Sequence, residues 1–290
     1  MMLSNLDKVF WPQQGYTKAD LIEYYVKIAP YLLPHLKDYP LVLVRYPDGI
    51  AGKFFYQKEA PPSRPDWLPT VEVASEGNRK SIRYCLVEDA ADLLFLINLG
   101  CIEIHPWLSK QTALNNPTCM VFDLDPHASQ SFQTVVEVAL LLKSALDTLG
   151  LTAYPKTSGA SGMHIYVPVG KGYDYQTVRE CAIAIAKFIE ATDPRVTLAR
   201  PIGERGERLY LDCWQIGRGK TLASVYSLRP VPSASVSTPL LWPEVTAALQ
   251  PSAYTIQTIF DRLNRMGDLF QPVFERKNDL SGVLRLSAKS

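Results

Sequence analysis

Three features of the sequence predict an α/β fold. Short runs rich in Val, Ile, Tyr and Phe recur between longer stretches whose apolar residues repeat at helical spacing. These strand-like and helix-like stretches alternate along the chain, as layered α/β architectures require. The 290 residues are 47% hydrophobic and 20% charged, enough to bury a full core in one large domain expected to span 1–290.

Residues 3–12 read as an irregular opening anchored by Phe10 and Trp11. Thr17 is placed to cap a helix, with Asp20 in the capping-box position. Leu21, Ile22, Tyr25, Ile28, Leu32 and Leu36 form the helix's apolar stripe, with breaks predicted near Pro30 and Pro34. Strands follow at 41–46 and 53–58. The second carries Phe54, Phe55 and Tyr56 in succession, and alternation forbids all three from facing a core. They either pack at a sheet edge under the proline-rich stretch at 61–65 or form a platform on which a base stacks.

Residues 70–74 and 81–87 read as a hairpin turning at Glu76-Gly-Asn78. Asp89 opens a short helix through 99, and 101–104 returns as a strand ahead of His105. Beyond an acidic strand at 119–125, helices are predicted at 131–149 and 175–191, with strands at 152–156 and 164–168. Further strands at 209–214 and 222–228 precede a Pro/Ser-rich crossing at 230–243 and a last helix at 255–266. From about 277 the chain is expected to be poorly ordered.

A net charge of +1 excludes a protein that coats nucleic acid by bulk charge, so any such contact comes from local patches. Five cysteines with no C-x-x-C read as reduced, buried thiols rather than a disulfide frame or a zinc site. The N-terminal residues lack the basic region and apolar run of a signal peptide. The most apolar segment, 91–104, is interrupted by Asp92 and Asn98. A cytoplasmic protein without a membrane partner is therefore expected.

Asp123 and Asp125 end the run Cys-Met-Val-Phe-Asp-Leu-Asp at 119–125, and on a strand both point to one face. Two such carboxylates repel each other unless a cation lies between them. Oxygen-only ligands suit magnesium or manganese rather than zinc. Alone, the pair reads as a strand end whose acids face water, because a lone D-x-D is common. Downstream, Ser158-Gly-Ala-Ser-Gly162 is a turn whose glycines let backbone amides approach a phosphate, and His164 follows it. Asp212 ends another apolar strand. Three acids, a Ser/Gly turn and a histidine together make a site for a metal-bound triphosphate.

From 195 to 229 the chain is locally basic. Arg200 and Arg208 read as solvated charges, whereas Arg205, Lys220 and Arg229 flank Asp212. Lys8 and Lys18 bracket the start of the first helix, as plain surface lysines or as an anion site. The loop Gly217-Arg-Gly-Lys220 lacks P-loop spacing, and no K-x-D-G ligase nucleophile is present in this chain.

The order D-x-D, S-x-x-x-x-x-H, strand-borne Asp resembles the archaeo-eukaryotic primase superfamily. More narrowly, the chain resembles the polymerase domain of bacterial ligase D from Leu3 to about Phe270. The resemblance implies a primase-polymerase fold: an RRM-like catalytic sheet and an N-terminal α/β module sharing one cleft. It implies a nucleotidyltransferase, a template-directed polymerase filling gaps and extending ends in non-homologous end joining, with ribonucleotides preferred. Asp123, Asp125 and Asp212 would hold two divalent cations, Mn2+ or Mg2+, and the substrate would be an NTP or dNTP.

By the same resemblance, Ser158, His164, His105, Arg205, Lys220 and Arg229 would contact the nucleotide. Lys8 and Lys18 would hold the 5′-phosphate of the downstream strand, and Phe55 and Tyr56, with Phe54 beside them, would meet the template. The implied partners are DNA with gaps, overhangs or 5′-phosphorylated ends, a separate DNA ligase and an end-binding repair protein. Many relatives carry a lysine where Ser161 stands, so this turn has lost one positive charge. Two other classes compete: a non-catalytic DNA end-bridging module and a metal-dependent phosphodiesterase.

Overall fold

The computed structural model describes residues 2–74 and 80–287. Strands β1 (Val9–Trp11) and β2 (Tyr16–Thr17) pair as a short ribbon that leads into α1 (Lys18–Leu36). The predicted capping box is present: the Asp20 N–H donates to the Thr17 hydroxyl, and the Thr17 N–H donates to the Asp20 carboxylate at 2.6 Å. Contrary to the sequence reading, α1 runs unbroken through Pro30 and Pro34. Both prolines lie on its exposed face, so the carbonyls they leave unpaired meet water instead of the core.

The first sheet is built by β3 (Leu41–Arg45), β4 (Phe55–Gln57), β5 (Thr70–Ala74) and β6 (Ser81–Cys85), followed by α2 (Ala90–Asn98) and β7 (Cys101–Pro106). Its order is β4-β3-β6-β5, with β7 also paired to β3. The predicted hairpin of β5 and β6 forms, and its turn at Glu76-Gly-Asn78 lies outside the described residues. Helix α1 packs on α2.

The second sheet comes from β8 (Cys119–Asp125), then α3 (Phe132–Thr148), β9 (Tyr154–Thr157), β10 (Met163–Pro168), α4 (Tyr175–Thr192), β11 (Val196–Thr197), α5 (Ile202–Arg205) and β12 (Leu209–Asp212). Its order is β11-β12-β8-β10-β9, which puts β8 in the middle. Phe122 and Leu124 alternate with Val121 and Asp123, so one face of β8 goes into packing and the other presents the acids. One apolar cluster runs through both sheets, joining Val44 and Ile104 of the first to Phe122 and Ile165 of the second. The sheets therefore share a core, and the cleft between them has fixed walls.

The strand predicted over 222–228 does not form: within that stretch Leu228 alone makes a bridge, to Val236. Tyr226 sits in the left-handed region at φ 61°, which interrupts an extended run. Helix α6 (Ile259–Met266) starts later than the predicted 255, and α7 (Pro272–Glu275) and α8 (Ser281–Ser287) close the described chain. Within the segment expected to be loose from about 277, the described residues up to 287 are docked. The Asn278 amide donates to the carbonyls of Thr152 and Pro168, Leu280 and Val283 are buried, and α8 packs on α4. A helix of 7 residues is too short a pattern to announce itself in the sequence. All five cysteines are buried and free. Among the described residues, no helix is long and apolar enough to cross a membrane.

Candidate active site

Strand register sets the centre of the site. Asp123 stands opposite His164 of β10 on one side and Asp212 of β12 on the other, and His164 stands opposite Lys156 of β9. Directly opposed residues share a sheet face, so Asp212, Asp123, His164 and Lys156 form one row of ionisable side chains across four strands. Asp125, two residues on from Asp123, projects from the same face. Over this row opens a cavity of about 450 Å³, lined by Asp123, Asp125, Ser158, His164, Lys220 and Arg229, with Tyr56 and His105 on the wall from the first sheet.

The row is electrostatically unfinished. Asp123 is 6% exposed, and its Oδ1 has no hydrogen-bond donor. His164 Nε2 lies 3.3 Å from that oxygen but is not aligned to donate. Burial, then Lys156 and Arg229, hold the His164 imidazole well below its ordinary range. It is therefore neutral and does not neutralise Asp123. Burial and then the neighbouring Asp212 push the Asp123 carboxyl up to about 7, against the pull of Lys156 and Arg229. Asp125, at the open end, is pushed up to about 7 by desolvation in the cavity, then by Asp123 and Asp212.

Asp212 is placed differently. Its carboxylate accepts from the Tyr210 hydroxyl at 3.1 Å, the Trp214 N–H at 2.6 Å and the Gln215 amide at 3.1 Å. Among the described residues, no three His, Cys, Asp or Glu side chains converge on one point. The all-oxygen donor set and the unpartnered, repelling carboxylates of Asp123 and Asp125 fit a hard divalent cation. Asp212 could join them by releasing its Gln215 bond.

The phosphate side is shaped by the Ser/Gly turn. A Cβ at Gly162 would stand 2.3 Å from the Leu124 carbonyl, so only glycine lets the turn lie this close to β8. Ser158 Oγ accepts from the Ala160 and Gly162 N–H groups, each at 3.1 Å, which leaves its hydroxyl proton to donate elsewhere. Arg229 donates to the Ser158 carbonyl, and its Nε lies 3.2 Å from Glu103 Oε2 without an aligned bond. Lys220 is exposed on the cavity rim. His105 is buried and held by Glu103 at 2.7 Å.

Arg205, Lys8, Lys18, Phe54 and Phe55 sit apart from this cluster. Arg205 donates to the carbonyls of Ala199 and Arg200 and stacks 3.5 Å from the Tyr210 ring centroid, so it acts on Asp125 only as a nearby charge. Lys8 donates to the Pro47 carbonyl and pairs with Asp48 at 2.6 Å. Lys18 is 4% exposed, and its ammonium donates to the Ser4 carbonyl and hydroxyl and to Asn98. Burial, then Lys8, lower the Lys18 pKa, so the two lysines do share one neighbourhood. Phe54, Phe55 and Tyr56 are 54%, 45% and 61% exposed, which rules out edge packing for all three. Phe54 stacks on Tyr46 at 5.1 Å and Tyr56 meets His105 edge-on, while Phe55 turns to the other face under Arg45.

Two buried groups escaped the sequence reading. Glu103 bridges His105 and Arg229, and the alternation of Glu103 with His105 on β7 was the available signal. Lys156 is fully buried, donating to the Ala223 carbonyl at 3.0 Å and the Ser237 hydroxyl at 2.5 Å. A strand lysine beside a turn reads as a surface residue, and only the register with His164 reveals it.

Comparison with known proteins identifies the family. Residues 17–270 match the family described as LigD, primase-polymerase domain. The bifunctional non-homologous end joining protein LigD of Bacillus subtilis is 34% identical, over all of this chain and 47% of its own length. The multifunctional LigD of Mycolicibacterium smegmatis is 30% identical, over 93% of this chain and 36% of its own length. The chain thus spans about half or less of the curated relatives it matches. Among solved structures, the polymerase domain from Mycobacterium tuberculosis ligase D in complex with DNA superposes with a TM-score of 0.87 at 27% identity, covering 96% of this chain and 99% of that one. With its fold, its acid-bearing strands and these matches in accord, the chain belongs to the LigD primase-polymerase family of nucleotidyltransferases.

Proposed function

We propose that this protein is a template-directed polymerase that adds nucleotides at gaps and broken ends of DNA during non-homologous end joining, with ribonucleotides preferred. The observation that carries this reading is the buried Asp123 carboxylate. It has no hydrogen-bond donor, opposes a second acid, and faces a cavity whose far wall offers Ser158, Lys220 and Arg229. The relatives' names, end-joining proteins and a polymerase domain bound to DNA, support the choice of substrate.

Asp123, Asp125 and Asp212 would hold two divalent cations, Mn2+ or Mg2+. Such ions, when bound, acidify the attacking hydroxyl and neutralise charge on the transferring phosphoryl group. The Ser158 hydroxyl, Lys220 and Arg229 bind the triphosphate oxygens, and neutral His164 donates one ring N–H to them without adding charge. Glu103 holds Arg229 and His105 in place behind that wall. Phe54 and Tyr56 offer their faces to the templating base, each stack worth roughly 1–3 kcal/mol.

Lys8 and Lys18 hold the 5′-phosphate of the downstream strand. For this Lys8 gives up Asp48, whereas Lys18, held by neutral oxygens alone, keeps an uncompensated charge. Ligation falls to a DNA ligase, and an end-binding repair protein delivers the ends. Replacing Asp123 with Ala is expected to abolish primer extension and leave DNA affinity within about twofold, since phosphate contacts set affinity. Extension that survives this change would overturn the assignment.

A further inference from the structure

Ser158, His164 and Arg229 account for the β10–β9 side of the acid row and Lys220 for the loop after β12, whereas Trp214 and the arginines around it have no assigned role. There Trp214, two residues beyond Asp212 and 37% exposed, stands between two arginines. The Arg200 guanidinium lies 4.2 Å from its ring centroid and that of Arg179 lies 5.5 Å away. The Trp214 N–H is fixed to Asp212, and Arg179 is fixed to the Ile216 carbonyl at 3.1 Å. Arg200 is exposed and makes no ion pair among the described residues.

A guanidinium laid on an aromatic face keeps its in-plane N–H edges free and has little rotamer freedom left to lose. That is the pre-organised fork that recognises a phosphate. In-line phosphoryl transfer places the attacking hydroxyl and the leaving pyrophosphate on opposite sides of the transferred phosphorus. With the triphosphate on the β10–β9 side, the primer 3′ end has to arrive from the β12 side, past Trp214.

We propose that Arg200 and Arg179, stacked on Trp214, grip the backbone phosphates next to the primer 3′ terminus. The inference rests on the polymerase reading above. It extends that reading to residues that recognise the strand being extended.

The test measures fluorescence anisotropy of a primer–template duplex without nucleotide or metal, across a salt series, beside steady-state extension with Mn2+. The double variant Arg200→Ala with Arg179→Ala should weaken duplex binding and raise the primer KM, each about tenfold, and flatten the log–log salt slope by about one per lost arginine. The nucleotide KM should stay within about twofold, because Arg179 and Arg200 do not line the cavity that Ser158, His164, Lys220 and Arg229 line. Arg200→Lys keeps the charge on a folded control and should retain the salt slope while losing part of the affinity. Unchanged duplex affinity and salt slope in the double variant would overturn the proposal, as would a rise confined to the nucleotide KM. A wild-type protein that binds duplex but does not extend it would sink the polymerase reading and leave the binding comparison readable.

Discussion

The acid row and the lysine pair are both candidate ligand sites in the sequence, yet the fold treats them in opposite ways. Around the acids, buried polar atoms go unmatched: Asp123 Oδ1, His164 Nδ1 and Arg229 Nε have no aligned hydrogen-bond partner. Around the lysines the protein supplies its own acceptors, from Pro47 and Asp48 to Lys8 and from Ser4 and Asn98 to Lys18. Leaving a buried polar group unpaired costs roughly 1–3 kcal/mol, so a set of them marks a place completed by something the chain does not contain. A satisfied lysine also ties the N-terminal segment to α2, so it works structurally whether or not it binds DNA.

This contrast makes graded predictions. Asp123→Ala should lower the extension rate on the order of 10³-fold or more, by primer-extension assay, because a transition-state group is lost. Tyr56→Ala should weaken template binding by roughly 1–3 kcal/mol, read by anisotropy against the same duplex, with melting temperature unchanged. Lys18→Ala should cost about 1–3 kcal/mol in denaturant unfolding, because Ser4 and Asn98 lose their buried donor, and should also reduce the preference for a downstream 5′-phosphate. If only the phosphate preference changes, the lysine pair resembles the acid row more than the structure says. Lys8→Ala, which removes a solvent-exposed pair, should change stability by less than about 1 kcal/mol.

Acidity separates the two regions as well. Asp123 and Asp125 carry carboxyls raised to about 7, so the folded protein keeps protons that the unfolded chain has already released. Their contribution to stability is present below the ordinary carboxylate range and is lost as pH rises through about 7. The metal-free protein should therefore melt lower at pH 8 than at pH 5, and added Mn2+ should reverse the loss. Asp123→Asn should flatten that dependence and stabilise the metal-free protein at pH 8 by about 1–2 kcal/mol, as relieving a functional site does. A melting temperature in wild type that is flat with pH would contradict the crowded-acid picture.

The sequence carried the acid row because strand alternation is a local rule. Asp123 and Asp125 two apart, a glycine turn and His164 at the start of a strand can be read without knowing the sheet order. Lys156 was hidden because its meaning lies in register: it joins the row only through His164, the residue opposite it on β10. Glu103 was half-legible, alternating with His105, but its tie to Arg229 spans a distance in sequence that no local pattern records. The continuity of α1 past Pro30 and Pro34 likewise depends on which face those prolines occupy, and packing decides that. The Arg200–Trp214–Arg179 stack joins three separate segments, so by sequence alone Arg200 reads as a solvated charge.

The most direct test of the account is primer extension on a short gapped duplex with Mn2+, supplying ATP or dATP in turn, with and without a 5′-phosphate on the downstream strand. The expected result is incorporation that favours ATP, is stimulated by the phosphate and vanishes in Asp123→Ala. Phosphate-dependent binding without any incorporation would contradict it in favour of an end-bridging module, and shortening of the primer would contradict it in favour of a phosphodiesterase.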